Sequence, residues 1–374
     1  MKIAVNTRLL LKDRLEGIGQ FTFETLRRIT RSHPEHQFFF LFDRKFDDSF
    51  LFSDNITPIV VHPQARHPYL WYLFFEYGVP LKTRKIKPDL FLSTDGWIPT
   101  CSDIPVVNVI HDLNFLHHPE FVPPVVRRYY DRFFPKFAKN ATLLATVSEY
   151  SRQDIIQSFH VDPEKVNVVF SGSNPAYRPL TEEQQDQVKR KYTEGCDYFL
   201  FVGLIHKRKN LDNIFRAFDI FKNKSSNPTK LVVVGDKKWW AGEIEDVYLK
   251  MRHRADVLLL GRQPLEVVCG LTASAIAMVY TSLFEGFGLP IVDSFNAQIP
   301  IITSNVTAMP EIAGDAAILV DPNSPDQLAE AMDSLQQDKS LRKMLIEKAI
   351  ARKGLFTWDR TADLLWKTIE KALP

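Results

Sequence analysis

The stretch Tyr280-Thr281-Ser282-Leu283-Phe284-Glu285-Gly286-Phe287-Gly288-Leu289-Pro290-Ile291-Val292-Asp293 decides how this chain is read. The apolar run from Ala275 to Tyr280 has the character of a buried strand, and it gives way to a carboxylate followed by two glycines. Pro290 suits the first turn of a helix that resumes the chain. A strand, a Gly-rich turn and a helix N-terminus make an anion site, because unpaired N–H groups point outward at the positive end of the helix dipole. Glu285 would stand at the strand's carboxyl end, where open α/β sheets bind ligands. A carboxylate beside an anion cradle suits a ligand with both hydroxyls and phosphates, such as a nucleotide-sugar. Taken alone, the stretch reads equally well as an ordinary strand–loop–helix connection with a capping acid.

Outside this stretch, 374 residues exceed one comfortable core, so two domains are expected. The chain carries 47 Lys+Arg against 45 Asp+Glu, a formal net charge of +2. That balance gives no bulk basic field, so nucleic acid is not an expected partner. Cys101, Cys196 and Cys269 match no metal spacing and are expected to be reduced thiols of a cytoplasmic protein. The chain opens directly on a strand, Ile3 to Asn6, so no signal peptide is expected, and no apolar run approaches a membrane span.

Apolar runs at Gln37–Phe42, Ile59–Val61, Asp89–Ser93, Pro105–Ile110, Leu143–Val147 and Val166–Phe170 alternate with helical patterns. A linker with Pro175 and Pro179 follows, and the alternation restarts at Tyr198–Val202, Lys230–Val234, Val257–Leu260, Ala275–Tyr280, Pro300–Thr303 and Ala317–Val320. Strand–helix alternation of this kind predicts α/β architecture with two Rossmann-like, doubly wound parallel sheets joined near residue 176 and a cleft between them. The domains would be 1–176 and 177–356, with a final helix at about 357–374 packing back on the first.

Three features of the first half bear on ligands. Gly17-Ile18-Gly19-Gln20 lacks the third glycine of a dinucleotide fingerprint and reads as a helix entry or as a place for a phosphate. His111, at the end of a strand, can exchange a proton with a ligand or simply be held by Asp112 or backbone. The aromatic segment His67 to Val79, with Lys82, Arg84, Lys85 and Lys87 beyond it, reads as a core-facing helix or as one resting on a membrane surface. In the second half, Val202-Gly203 leads into His206-Lys207-Arg208-Lys209-Asn210. Cations beside a helix N-terminus hold a diphosphate through charge-assisted hydrogen bonds. The loop Gly235-Asp236-Lys237-Lys238-Trp239-Trp240 is a less specific candidate for the cleft.

In this order the pieces are similar to one family. Gly17-Ile18-Gly19, His111-Asp112, Val147-Ser148-Glu149-Tyr150-Ser151, Val202-Gly203 with Arg208-Lys209-Asn210, Glu285-Gly286-Phe287-Gly288-Leu289-Pro290, Ser304-Asn305-Val306, Pro310-Glu311 and Asp321-Pro322 resemble the retaining GT-B glycosyltransferases of family 4 (glycosyl transferases group 1), in particular the mannosyltransferase-like branch. The resemblance implies a GT-B fold, with the first domain on the acceptor side and the second on the donor side. It implies that Arg208 and Lys209 bind the donor diphosphate and that Glu285 contacts hydroxyls of the donor sugar. Backbone N–H groups of Phe287 to Leu289 would meet sugar or phosphate, with Gly203, Gly286 and Gly288 among the donor-binding residues. Gly19 would approach the phosphate, and His111 the sugar or acceptor. Asp293 takes the place of the second acid of the E-x7-E motif, which binds the nucleotide ribose; the side chain is shorter by one methylene. Leu204 stands where many members carry a phosphate-binding Arg.

The implied reaction moves a hexose from a nucleoside diphosphate to a hydroxyl of a glycan or lipid-linked glycan, in surface polysaccharide or lipopolysaccharide assembly. Lys209, Arg208 and helix N-termini would stabilise the departing diphosphate. No cofactor beyond the donor and no metal are expected, since the chain has no D-x-D-type carboxylate cluster. GDP-mannose is the favoured donor; UDP-glucose or UDP-GlcNAc is the alternative. A sugar-nucleotide epimerase and a non-catalytic nucleotide-sugar-binding protein are the readings from other classes. Lipid-linked acceptors would bring the protein to the inner face of the membrane.

Overall fold

Among the described residues all the strands pair in parallel, and they do so in two separate sheets. The computed structural model describes residues 1–373 apart from 13, 14, 16, 225, 226, 237–239 and 241. Lys237, Lys238 and Trp239 of the second candidate loop therefore lie outside the described residues, as do three positions of the stretch from Leu9 to Gly17. The chain forms two compact units, one of residues 1–172 with the C-terminal segment from Thr357, the other Ser173–Phe356.

In the first unit the strands are β1 (Lys2–Asn6), β2 (Gln37–Phe42), β3 (Ile56–Val60), β4 (Leu90–Ser93), β5 (Val106–Val109), β6 (Leu143–Thr146) and β7 (Val166–Val168), in sheet order β3-β2-β1-β4-β5-β6-β7. Helices cover both faces of such a sheet, which is why its strands read as nearly continuous apolar runs. β4 and β5 are buried at every position. The helix Trp358–Lys371 belongs to this unit. Trp366 stacks on His33 with ring centroids 3.7 Å apart, and Arg28 of the helix Ile18–Ser32 pairs with Asp359 at 2.5 Å. Gly172 lies flush against this helix, since a Cβ there would sit 2.4 Å from the Trp358 backbone nitrogen.

The second unit has β8 (Tyr198–Val202), β9 (Lys230–Val234), β10 (Val257–Gly261), β11 (Ala277–Tyr280), β12 (Ile301–Ser304) and β13 (Ile318–Val320), in order β10-β9-β8-β11-β12-β13. Its core holds Phe199, Phe201, Phe215, Phe218 and Phe221. Each sheet runs outward in both directions from a central pair, β1/β4 in the first and β8/β11 in the second. At such a switch point the connections leave to opposite faces and open a crevice at the strands' carboxyl ends.

The aromatic segment after His67 folds as consecutive helical turns, Pro68–Leu73, Phe74–Gly78 and Val79–Ile86. Phe74 and Phe75 are fully buried, and Trp71 packs against the core while its Nε1 donates to the Ala65 carbonyl. Of the aromatics in this segment, Phe74 and Phe75 are thus core residues, with Trp71 half-buried against them. Tyr69, Tyr72 and Tyr77 take the outer side.

Candidate functional site

Arg208, Lys209 and Glu285 meet at the switch point of the second sheet. The chain leaves β8 through Gly203 and makes a single 3₁₀ turn, Lys207–Lys209. The His206 side chain caps this turn by accepting from the Arg208 N–H at 3.1 Å. Asn210 then adopts a left-handed conformation (φ 60°), which Asn tolerates better than most residues. Its buried amide donates to the Thr281 carbonyl at 3.0 Å and the Pro322 carbonyl at 2.6 Å, tying the loop to the end of β11. The Leu283 N–H donates to the Arg208 carbonyl at 2.8 Å. The two loops at the switch point are therefore one hydrogen-bonded structure.

The same Glu285 oxygen, Oε1, accepts from Arg208 Nη1 and from Lys209 Nζ, each at 2.6 Å. Arg208 Nη1 also donates to the Phe284 carbonyl at 2.8 Å. Lys209 Nζ donates to the Tyr280 hydroxyl at 2.9 Å and lies 4.8 Å from the centre of the Tyr280 ring. Burial works to raise the Glu285 pKa, but Arg208 and then Lys209 outweigh it and hold the carboxyl at about 2. Burial first, and the Glu285 charge second, push the Tyr280 hydroxyl well above its ordinary value. At neutral pH the cluster is thus two cations, one carboxylate and one neutral phenol.

Gly286 to Leu289 carry the chain from this cluster into the helix Leu289–Ala297. Gly288 precedes it with φ 98° and no side-chain cap, and Pro290 occupies its first turn. A Cβ at Gly288 would be strained at that φ and would lie 3.0 Å from Ile291 Cδ1, so glycine is required. Gly203 runs beside the lysine, since a Cβ there would be 4.0 Å from Lys209 Cε. Gly235 brings β9 still closer, because an added Cβ would fall 1.9 Å from the Gly203 carbonyl oxygen.

Asp293 stands about one turn along this helix, and its carboxylate does not join the cation cluster. It accepts from the Asn174 N–H at 3.2 Å, and burial pushes its pKa up to about 7. In the first unit, His111 Nε2 contacts the Thr94 carbonyl at 2.9 Å, the ring stands edge-on to Phe21 at 4.9 Å, and burial lowers its pKa. Gly19 is buried within the first turn of the helix Ile18–Ser32, while Gly17 precedes that helix with φ 40°. At this unit's own switch point, Arg8 Nε donates to Asp95 at 2.6 Å, and its guanidinium faces Trp97 at 4.3 Å. The sequence alone gives no signal for Arg8 or Asp95, and within the quoted stretches it assigns no role to Tyr280 or Asn210. Tyr280 and Asn210 did carry a signal, since one ends the strand before Glu285 and the other directly follows Lys209.

Among the described residues, only His33, Glu35 and His36 bring three potential metal ligands within 4.8 Å of one another. They precede β2, at the opposite end of the strand from the ligand edge. No helix among the described residues is long and apolar enough to cross a membrane.

Residues 182–352 match the model of Glycosyl transferases group 1, and residues 15–177 match that of Glycosyltransferase Family 4. The O-antigen chain mannosyltransferase B of Escherichia coli is 28% identical over 254 residues, covering 68% of this chain and 67% of that one. The O-antigen chain mannosyltransferase RfbU of Salmonella typhimurium is 24% identical over 286 residues, covering 76% and 75%. Among solved structures, Anabaena Alr3699/HepE in complex with UDP and glucose superimposes with a TM-score of 0.76 at 14% identity over 99% of this chain and all of that one. WaaG, a glycosyltransferase involved in lipopolysaccharide biosynthesis, gives 0.74 at 16% identity over 97% and 99%.

Proposed function

Because this chain belongs to the family 4 glycosyltransferases (glycosyl transferases group 1), and is a sugar-transferring enzyme of the GT-B fold, we propose that it moves mannose from GDP-mannose, with retention, to a hydroxyl of a glycan or lipid-linked glycan in surface polysaccharide assembly. The observation that carries this reading is the convergence of Arg208 and Lys209 on one buried Glu285 oxygen at the β8/β11 switch point. Without donor, the one Glu285 carboxylate pairs with both cations and leaves the cluster with a positive charge in excess. A bound diphosphate gives each cation a second anionic partner, and the negative charge that builds up as it leaves falls beside groups already held in place.

The costly event is separation of an oxocarbenium-like sugar from the diphosphate. Lys209 and Arg208 stabilise the leaving group, and N–H groups from Phe287 to Leu289 add the positive end of a helix. Glu285 accepts from sugar hydroxyls and stays ionised, so it orients rather than exchanges protons. Asp293 addresses the ribose. In the first unit, Gly19 is assigned to phosphate and His111 to sugar or acceptor. A lipid-linked acceptor places the enzyme peripherally on a membrane. Mannose is favoured because the relatives named above are mannosyltransferases. UDP-glucose or UDP-GlcNAc is the second reading, favoured by the structural likeness to a protein that holds UDP and glucose.

The test is to incubate the protein with a panel of sugar nucleotides and measure nucleoside diphosphate release. GDP release from GDP-mannose is expected to be fastest. Release from none of the donors would sink the transferase reading, and faster release from a UDP-sugar would replace the donor.

A further inference from the structure

Fourteen large apolar side chains are exposed among the described residues, and five of them, Tyr69, Tyr72, Leu73, Tyr77 and Leu81, fall within thirteen residues of sequence. Tyr69, Leu73, Tyr77 and Leu81 recur every four positions along the consecutive helical turns Pro68–Leu73, Phe74–Gly78 and Val79–Ile86, which makes them one outward stripe. The Tyr72 ring touches Tyr77 at 6.0 Å and Phe133 of the neighbouring helix Pro124–Asn140 at 5.9 Å. The inner side of the same turns is anchored by Phe74, Phe75 and Val79, all fully buried. An apolar stripe on a firmly seated helix marks a surface that meets something other than water.

Charge identifies the partner. Lys82, Arg84, Lys85 and Lys87 stand at the end of the stripe, and Arg127, Arg128, Arg132, Lys136 and Lys139 lie on the neighbouring helix, against only Glu76 and Asp131 in these two segments. Glu76 is turned inward onto the Thr100 N–H and hydroxyl. A chain with a net charge of only +2 therefore places nine cations around the largest cluster of exposed aromatics among the described residues. Arg132 and Lys136 reach along the Phe133 ring beside Tyr72, so cation and aromatic form one rim. Tyrosine rings at headgroup depth with Lys and Arg around them are what an anionic bilayer surface accepts. A second copy of this chain would set one basic face against another.

We infer that the outer side of residues 69–81, with Arg128, Arg132 and Lys136 beside it, is the surface by which the first unit docks on an anionic lipid bilayer. The tyrosines and leucines sink to the level of the headgroups and the basic side chains pair with lipid phosphates. The inference gives a surface to the membrane contact implied by a lipid-linked acceptor, but it stands on exposure and charge and does not depend on which sugar is moved.

The test is co-sedimentation with vesicles of phosphatidylcholine and phosphatidylglycerol at a ratio of about 7:3, and of phosphatidylcholine alone, at low and high salt. The protein is expected to pellet with the mixed vesicles at low salt, to release at high salt, and to stay in solution with phosphatidylcholine alone. A Tyr69→Ser/Tyr77→Ser/Leu81→Ser variant and an Arg132→Glu/Lys136→Glu variant are each expected to lose about tenfold in partitioning, whereas Lys343→Glu/Lys348→Glu on the second unit loses none. Circular dichroism verifies that each variant is folded. Failure of the folded wild type to pellet, equal loss in the second-unit variant, or a vesicle-independent dimer broken by the stripe variant would overturn the inference. Nucleoside diphosphate release measured without vesicles on the same wild-type sample separates failure of this surface from failure of the transferase reading.

Discussion

Replacing Glu285 by Gln tests the cation cluster most sharply, because it should move stability, anion binding and turnover in different directions. The carboxyl falls from an ordinary 4.5 to about 2 in the folded protein, which corresponds to about 3 kcal/mol in favour of its ionised form. A depressed carboxyl pKa contributes stability that is complete above the unfolded value and is lost as pH falls from 4.5 towards 2. The glutamine variant leaves Arg208 and Lys209 without their anion. Breaking a fully buried pair costs about 3–5 kcal/mol. These two side chains keep 23% and 13% exposure, so we expect about 2–3 kcal/mol by urea unfolding at pH 7, shrinking below pH 4.5 and approaching zero only near pH 2. The freed cations should bind GDP or inorganic pyrophosphate at least as tightly as wild type, by calorimetry. Loss of a charged hydrogen bond to the sugar should lower turnover of the sugar nucleotide by about 10–100-fold. A variant with unchanged stability, weaker GDP binding and normal turnover would refute the reasoning.

Lys209→Ala removes the cation that bonds both Glu285 and Tyr280 and is expected to slow nucleoside diphosphate release by about 10²–10³-fold; normal turnover would overturn the phosphate assignment. Asp293→Asn removes an acid whose pKa burial raises to about 7. A raised carboxyl pKa gives stability that is complete below about 4 and is lost as pH rises through 7, so wild type should lose about 4 kcal/mol between pH 4 and 8 that the variant keeps. Thermal melts across that range, together with weaker GDP binding in the variant, check this assignment. Gly172→Ala forces a Cβ against the Trp358 backbone and should cost the first unit about 1–3 kcal/mol, read by urea unfolding.

The fold was legible because parallel sheets buried on both faces write their strands as short apolar runs, and the restart after Pro179 announces a second sheet. The Glu285 and Arg208-Lys209 loops were legible because both follow such runs, and the structure brings them into contact. Sequence could not show that β8 and β11 flank the switch point, since strand order depends on crossovers rather than local pattern. It could not show Tyr280 beneath Lys209 either, because a tyrosine ending an apolar strand reads as core, and here it is core with a hydroxyl facing the site. The Arg8–Asp95 pair joins residues 87 apart in sequence, beyond the reach of any periodicity. Around Trp71 the pattern failed differently. That segment is aromatic on both sides, so composition alone could not say that Phe74 and Phe75 face inward while Tyr69 and Tyr77 face out.

The central claim is that this cluster releases a nucleoside diphosphate from a sugar that keeps its anomeric configuration. Following the reaction by proton NMR with GDP-α-mannose and a mannoside acceptor reads both at once. The account predicts GDP release coupled to a new α-linked mannose signal. A β-linked product, or no diphosphate released from any sugar nucleotide, would contradict it.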